Sequence, residues 1–108
     1  MGWFSSDSNE AQAYEQVTNA PHKAKLSHEL IAAAASYEAA KAYEDHRAAS
    51  GHPDSHAKAK ELVAGFAGAF VDRMAETKGL DLLDRERAKH AAREQAQQSF
   101  SGSGYYPN

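Results

Sequence analysis

Between His28 and Lys78, two helical patterns of matching length, both rich in alanine and glycine, flank a Ser50-Gly51-His52-Pro53-Asp54 turn. A stretch of this kind has few ways to fold. Each half carries apolar residues at spacings of three and four, the period of a helix that buries one stripe. The turn supplies a glycine that can adopt the left-handed closing conformation, and then a proline that prevents the helix from resuming. The two halves are therefore expected to pack as an antiparallel helical hairpin.

On the first half, a helix from about His22 to Ala49 places Leu26, Leu30, Ala33, Ala34, Tyr37 and Ala40 along one stripe. On the second, capped by Asp54 or Ser55 and stopped at Gly79, the stripe is Ala59, Leu62, Val63, Phe66, Phe70 and Met74. Leu26, Leu30, Tyr37, Leu62, Phe66 and Phe70 are the larger side chains of this expected core. Before the hairpin, Asp7-Ser8-Asn9-Glu10 reads as a capping box with Asp7 at the cap, opening a short helix to about Thr18 that Asn19-Ala20-Pro21 ends. After it, Asp81 can cap a helix from about Leu82 to Gln97. Leu80, Leu82 and Leu83 begin that segment, and the polar run Arg85 to Gln98 predicts that only its first turns are firmly packed. The fold class is thus all-α, with three to four helices around a central antiparallel hairpin. Residues 1–98 form a single helical domain in this reading, and 99–108 a flexible low-complexity tail.

Composition narrows the function classes. A chain of 108 residues has room for one modest core, and because much of its 42% hydrophobic content is alanine, help from a partner chain is one expected source of stability. The absence of cysteine excludes disulfides, thiol catalysis and cysteine-based metal centres. The longest apolar run, Leu62 to Val71, is ten residues, against the roughly 20 that span a bilayer, so no transmembrane segment is expected. A net charge of −3 with interspersed signs offers no basic patch for nucleic acid. Without a basic region and apolar core at the N-terminus, the expected location is cytoplasmic. Met1-Gly2 with Ser6 fits the loose N-myristoylation pattern. The bulky Trp3 after the glycine counts against it, and Trp3 with Phe4 reads better as an apolar hook that packs on the helices.

Four constellations are candidates for function. Gly65, Gly68, Ala69 and Asp72 share one side of the third helix, where missing side-chain bulk lets another helix approach. That side either packs on the first or fourth helix of the same chain or forms the seam of a homodimer. His46, His52 and His56 gather around the hairpin turn beside Asp45 and Asp54, a donor set suited to zinc, copper or nickel. No HExxH or ExxH pair accompanies them, and a solvated polar loop is the commoner outcome. A hairpin turning about Gly51 would bring Glu44 near Lys58 and Glu29 near Arg73, as structural ion pairs with no nucleophile or oxyanion donor beside them. Tyr37 points into the core and Tyr43 lies off the stripe, so a polar pocket between helices competes with simple ring packing. A weaker signal is an offset of 32 that aligns His28 to His46 with Lys60 to Lys78, matching Glu29/Glu61, Leu30/Leu62 and Glu44/Glu76. Two alanine-rich amphipathic helices match this well by chance.

The phrases Met1-Gly2-Trp3-Phe4-Ser5-Ser6-Asp7-Ser8, His28-Glu29-Leu30-Ile31-Ala32-Ala33-Ala34-Ala35, Lys41-Ala42-Tyr43-Glu44-Asp45-His46, Glu76-Thr77-Lys78-Gly79-Leu80-Asp81 and Asp84-Arg85-Glu86-Arg87-Ala88-Lys89-His90 together resemble the fungal family of concanamycin-induced protein C, the CipC-like antibiotic response proteins. The similarity covers about residues 1 to 95. It implies an intracellular fungal protein that accumulates under drug or other stress, and it transfers no catalytic residues. His46, Asp54 and His56 with the alanine runs also resemble, more faintly, the zinc-binding plant abscisic-acid, stress and ripening proteins.

The expected function is that of a non-enzymatic stress or antibiotic-response protein working through helix-mediated interaction, with a homodimer, an unidentified protein or a small molecule as partner. The alternative is a small-molecule or metal-binding helical protein using the histidine-rich turn or an interhelical cleft. No cofactor is expected beyond that candidate divalent metal.

Overall fold

Serine opens three of the helices. A computed structural model describes residues 8–21, 26–51, 55–79 and 82–102. In it α1 (Asn9–Asn19), α2 (His28–Ser50) and α3 (His56–Lys78) start after Ser8, Ser27 and Ser55. Each serine hydroxyl accepts a hydrogen bond from the backbone N–H three residues on, at Ala11 (3.1 Å), Leu30 (3.1 Å) and Lys58 (3.2 Å). One otherwise orphaned donor is satisfied at each helix start in this way. The last helix is α4 (Leu82–Gly102). No strand occurs among the described residues, and the fold is all-α.

Glycine closes the two long hairpin helices, Gly79 in the left-handed helical conformation and Gly51 at positive φ but with an extended ψ of −176° in place of the expected left-handed one. Gly51 has φ 80° and donates its N–H to the Arg47 carbonyl at 2.8 Å, and Gly79, at φ 78° and ψ 35°, donates to Ala75 at 2.9 Å. Side chains at these two positions would be strained, because L-residues rarely adopt positive φ.

The hairpin of α2 and α3 is antiparallel, and α4 packs against both of its helices while α1 packs against α2. The α2 helix therefore touches all three others and is buried nearly all round: Ile31, Ala32, Ala34, Ala35, Ser36, Tyr37, Ala39, Ala40 and Tyr43. Alanines let three neighbouring helices approach one axis, since nothing longer than a methyl stands between backbones. Among the described residues Ser36 is the one buried polar residue, and its hydroxyl donates to the Ala32 carbonyl at 3.0 Å, so its burial leaves no orphaned donor.

The opposing face of α3 buries Ala59, Val63, Ala67, Phe70, Val71 and Met74. Tyr37 and Phe70 are buried, while Leu26, Leu30, Leu62 and Phe66 are partly buried and pack against the same cluster. Leu26 does so from outside the helix. The helical segment begins at His28, later than the expected His22, because Ser27 rather than the proline region supplies the cap.

The largest departure is in α4. The polar run predicts a helix packed only at its start and ending near Gln97, yet Ala88, Ala92, Ala96 and Phe100 are all fully buried and the helix reaches Gly102. Residues 99–102, read as the beginning of a tail, are helical, and the Phe100 ring meets Tyr43 edge-on at 5.2 Å between centroids. Leu80 and Asp81, the side chains of Leu82 and Leu83, and residues 103–108 lie outside the described residues, as do Trp3, Phe4, Asp7 and Asp54.

Candidate functional site

The outward side of α3 is where the sequence placed its interface candidates, and the structure divides them. Gly68 and Asp72 turn toward α4. A Cβ on Gly68 would come within 3.1 Å of Arg93 Nε, so the missing side chain makes room for that arginine. Asp72 accepts from Arg85 Nε at 2.9 Å and lies 3.2 Å from Lys89 Nζ. This clasp joins α3 to α4, and Gln97 Nε2 adds a bond to the Lys60 carbonyl at 3.3 Å. Burial raises the Asp72 pKa, but the hydrogen bonds and charges of Arg85 and Lys89 outweigh it and hold the carboxyl below its ordinary value.

Gly65 and Ala69 face solvent instead, and a Cβ added at Gly65 would meet nothing within 4 Å. Lys58, Glu61, Arg73 and Glu76 are also exposed on this helix, and the partly buried Leu62 and Phe66 border the strip. The result is a shallow, small-residue strip with charged ends. At its centre, Gly65 and Ala69 carry no side chain long enough to hold a neighbouring helix away.

Of the two expected ion pairs, the Arg73 one forms with a different partner. Arg73 meets Glu38 at 3.3 Å instead of Glu29, about two and a half turns further along α2. The ring of His46 lies 6.2 Å from Phe66, consistent with the same register. The hairpin therefore folds about a point beyond Gly51. Glu44, expected beside Lys58, keeps one carboxylate oxygen buried with no hydrogen-bond partner.

Tyr37 joins an aromatic cluster instead of lining a pocket. Its ring is 5.2 Å from that of Tyr14, which in turn lies 5.9 Å from Phe70, so α1, α2 and α3 meet through these three rings. Lys41 Nζ stands 4.9 Å from the Tyr14 centroid and 5.8 Å from that of Tyr37, and the Arg73 guanidinium is 5.5 Å from Phe70. These are cation–π distances, each contributing about 0.5–1 kcal/mol where solvent reaches. Tyr14 was not among the sequence candidates. Its spacing of three from Ala11 and Val17 on the buried side of α1 is the signal that would have found it.

Of the histidines at the turn, His46 sits on α2, while His52 and the His56 side chain lie outside the described residues. Among the described residues no group of three or more histidines and carboxylates is placed to hold a metal ion. An open depression of about 280 Å³ is lined by Lys60, Glu94, Gln97, Gln98 and Ser101, with no convergent set of groups for chemistry. No helix among the described residues is long and apolar enough to cross a membrane.

The described residues form a small all-α protein that exposes a small-residue helix face on α3. The chain belongs to the family of CipC-like virulence factors, whose family model matches residues 13–103. That match takes in all of α2, α3 and α4 and the second half of α1. No curated protein and no solved structure matches the chain significantly.

Proposed function

We propose that this protein is a non-enzymatic antibiotic- or stress-response protein that works by helix-mediated contact, including self-association through the outward face of α3. Membership of the CipC-like family supports the response reading. The observation that carries the contact reading is the exposed Gly65 and Ala69 strip, open where Gly68 and Asp72 on the adjoining side are engaged by α4. Glycine costs a helix interior about 1 kcal/mol relative to alanine, and among the described residues no neighbour of Gly65 requires it.

The test is Gly65→Arg. Because a Cβ there meets nothing and arginine is a good helix former, the variant should unfold at the same or a higher temperature than the parent. The same side chain would block a second helix, so sedimentation velocity should show assemblies of the parent chain and none of the variant. Assembly that persists unchanged in Gly65→Arg would exclude this face.

A further inference from the structure

Lys58, Gly65, Ala69 and Glu76 lie along one line of α3, all exposed, and the line is symmetric about the point midway between Gly65 and Ala69. The two small residues flank that midpoint, and the two charged ones stand nine residues to either side with opposite signs. We infer that α3 is built to pair with α3 of a second copy of this chain in antiparallel orientation, about a two-fold axis at that midpoint, with Lys58 of each copy facing Glu76 of the other. This rests on the self-association proposed above and specifies its geometry.

The argument is one of self-complementarity. A two-fold interface presents the same patch twice, so residue i meets j and j meets i. Antiparallel packing about this midpoint places Gly65 against Ala69 twice, allowing close backbone approach, and brings both ends together as unlike charges. Parallel packing of the same faces sets Lys58 against Lys58 and Glu76 against Glu76, which repel. Phe66 is one residue from the axis and on one flank of the line, so the same symmetry brings the two partly buried Phe66 rings to the same flank of the dimer. Their remaining apolar surface is then removed from water. One helix from each copy gives an interface at the small end of the range, the class of transient complexes.

The natural chain has no cysteine, so single cysteines report orientation directly. Full-length Lys58→Cys and Glu76→Cys variants, mixed and oxidised, should give a disulfide-linked heterodimer. Neither variant alone should link to itself, because the two copies of either position stand about 27 Å apart in the antiparallel pair. In a second measurement, Glu76→Lys should weaken the dimer about five- to tenfold by opposing two lysine pairs, and adding Lys58→Glu should restore it. Self-linking of Lys58→Cys would overturn the proposal in favour of parallel packing. A parent chain that is dimeric by native mass spectrometry, with no linkage in the mixture, would overturn the orientation and leave self-association standing. A parent chain that stays monomeric at all concentrations removes both.

Discussion

At the residue scale, the side chains of the core are unequal in ways their chemistry alone does not show. Phe70 is 1% exposed and joins the ring cluster of Tyr14 and Tyr37, whereas Leu62, a turn or two along the same helix, is only partly buried. Phe70→Ala should therefore cost about 3–5 kcal/mol, because the lost transfer energy is joined by a cavity that three helices cannot collapse to fill. Leu62→Ala should cost clearly less, and denaturant unfolding of the two variants with an unchanged slope measures the difference. The sequence predicts the stripe on which both lie, but spacing does not reveal how a neighbouring helix tilts across it. Ring geometry around Tyr14 belongs to the same class of information, since it depends on where α1 docks.

At the element scale, helix ends and helix interiors were legible to different degrees. Gly51 and Gly79 were readable as stops because only glycine takes positive φ cheaply, and Ser55 as a cap because its oxygen substitutes for a missing backbone acceptor. The interior of α4 was misread because its buried strip is made of alanines set among charges, and a methyl contributes little to any hydropathy pattern. The strict spacing of four through Ala88, Ala92, Ala96 and Phe100 was the available sign. The hairpin register was out of reach for a different reason: spacing along each helix does not say at what height two helices meet, and the pairing of Arg73 with Glu38 records the outcome.

The same scale holds a pH prediction. Asp72 has a lowered carboxyl pKa in the folded state because Arg85 and Lys89 clasp it against α4, so its folded value lies below 3.8, while the unfolded chain returns to about the ordinary value. Its stabilising contribution is complete above that ordinary value and is lost as pH falls through the lowered one. Asp72→Asn should be less stable than the parent near neutrality, and the gap should close as the pH drops below 3.8. Thermal unfolding of both proteins across that window gives the comparison. A gap independent of pH would mean that the carboxylate's charge is not what joins the two helices.

At the scale of the whole molecule, α2 is the axis and α1 the outrigger. Every other helix packs on α2, while α1 rests on α2 and reaches α3 through the Tyr14 ring. Local opening should follow that hierarchy, since an element with fewer buried contacts opens at lower free energy. Amide hydrogen exchange should be slowest through the alanine run of α2 and distinctly faster in α1. Equal protection in the two would mean that α1 opens only when the entire molecule does.

The alanine run from Ala32 to Ala35 has a further consequence, for inheritance rather than for energy. Single-nucleotide changes in an alanine codon lead to valine, threonine, serine, proline, aspartate, glutamate or glycine. On a helix hemmed in by three neighbours nearly all of these overfill, break or weaken the packing. Large core residues have many tolerable exchanges among leucine, isoleucine and methionine, whereas a buried alanine run has few. The residue type that looks least informative in the chain is thus the one expected to have the least freedom to drift along α2.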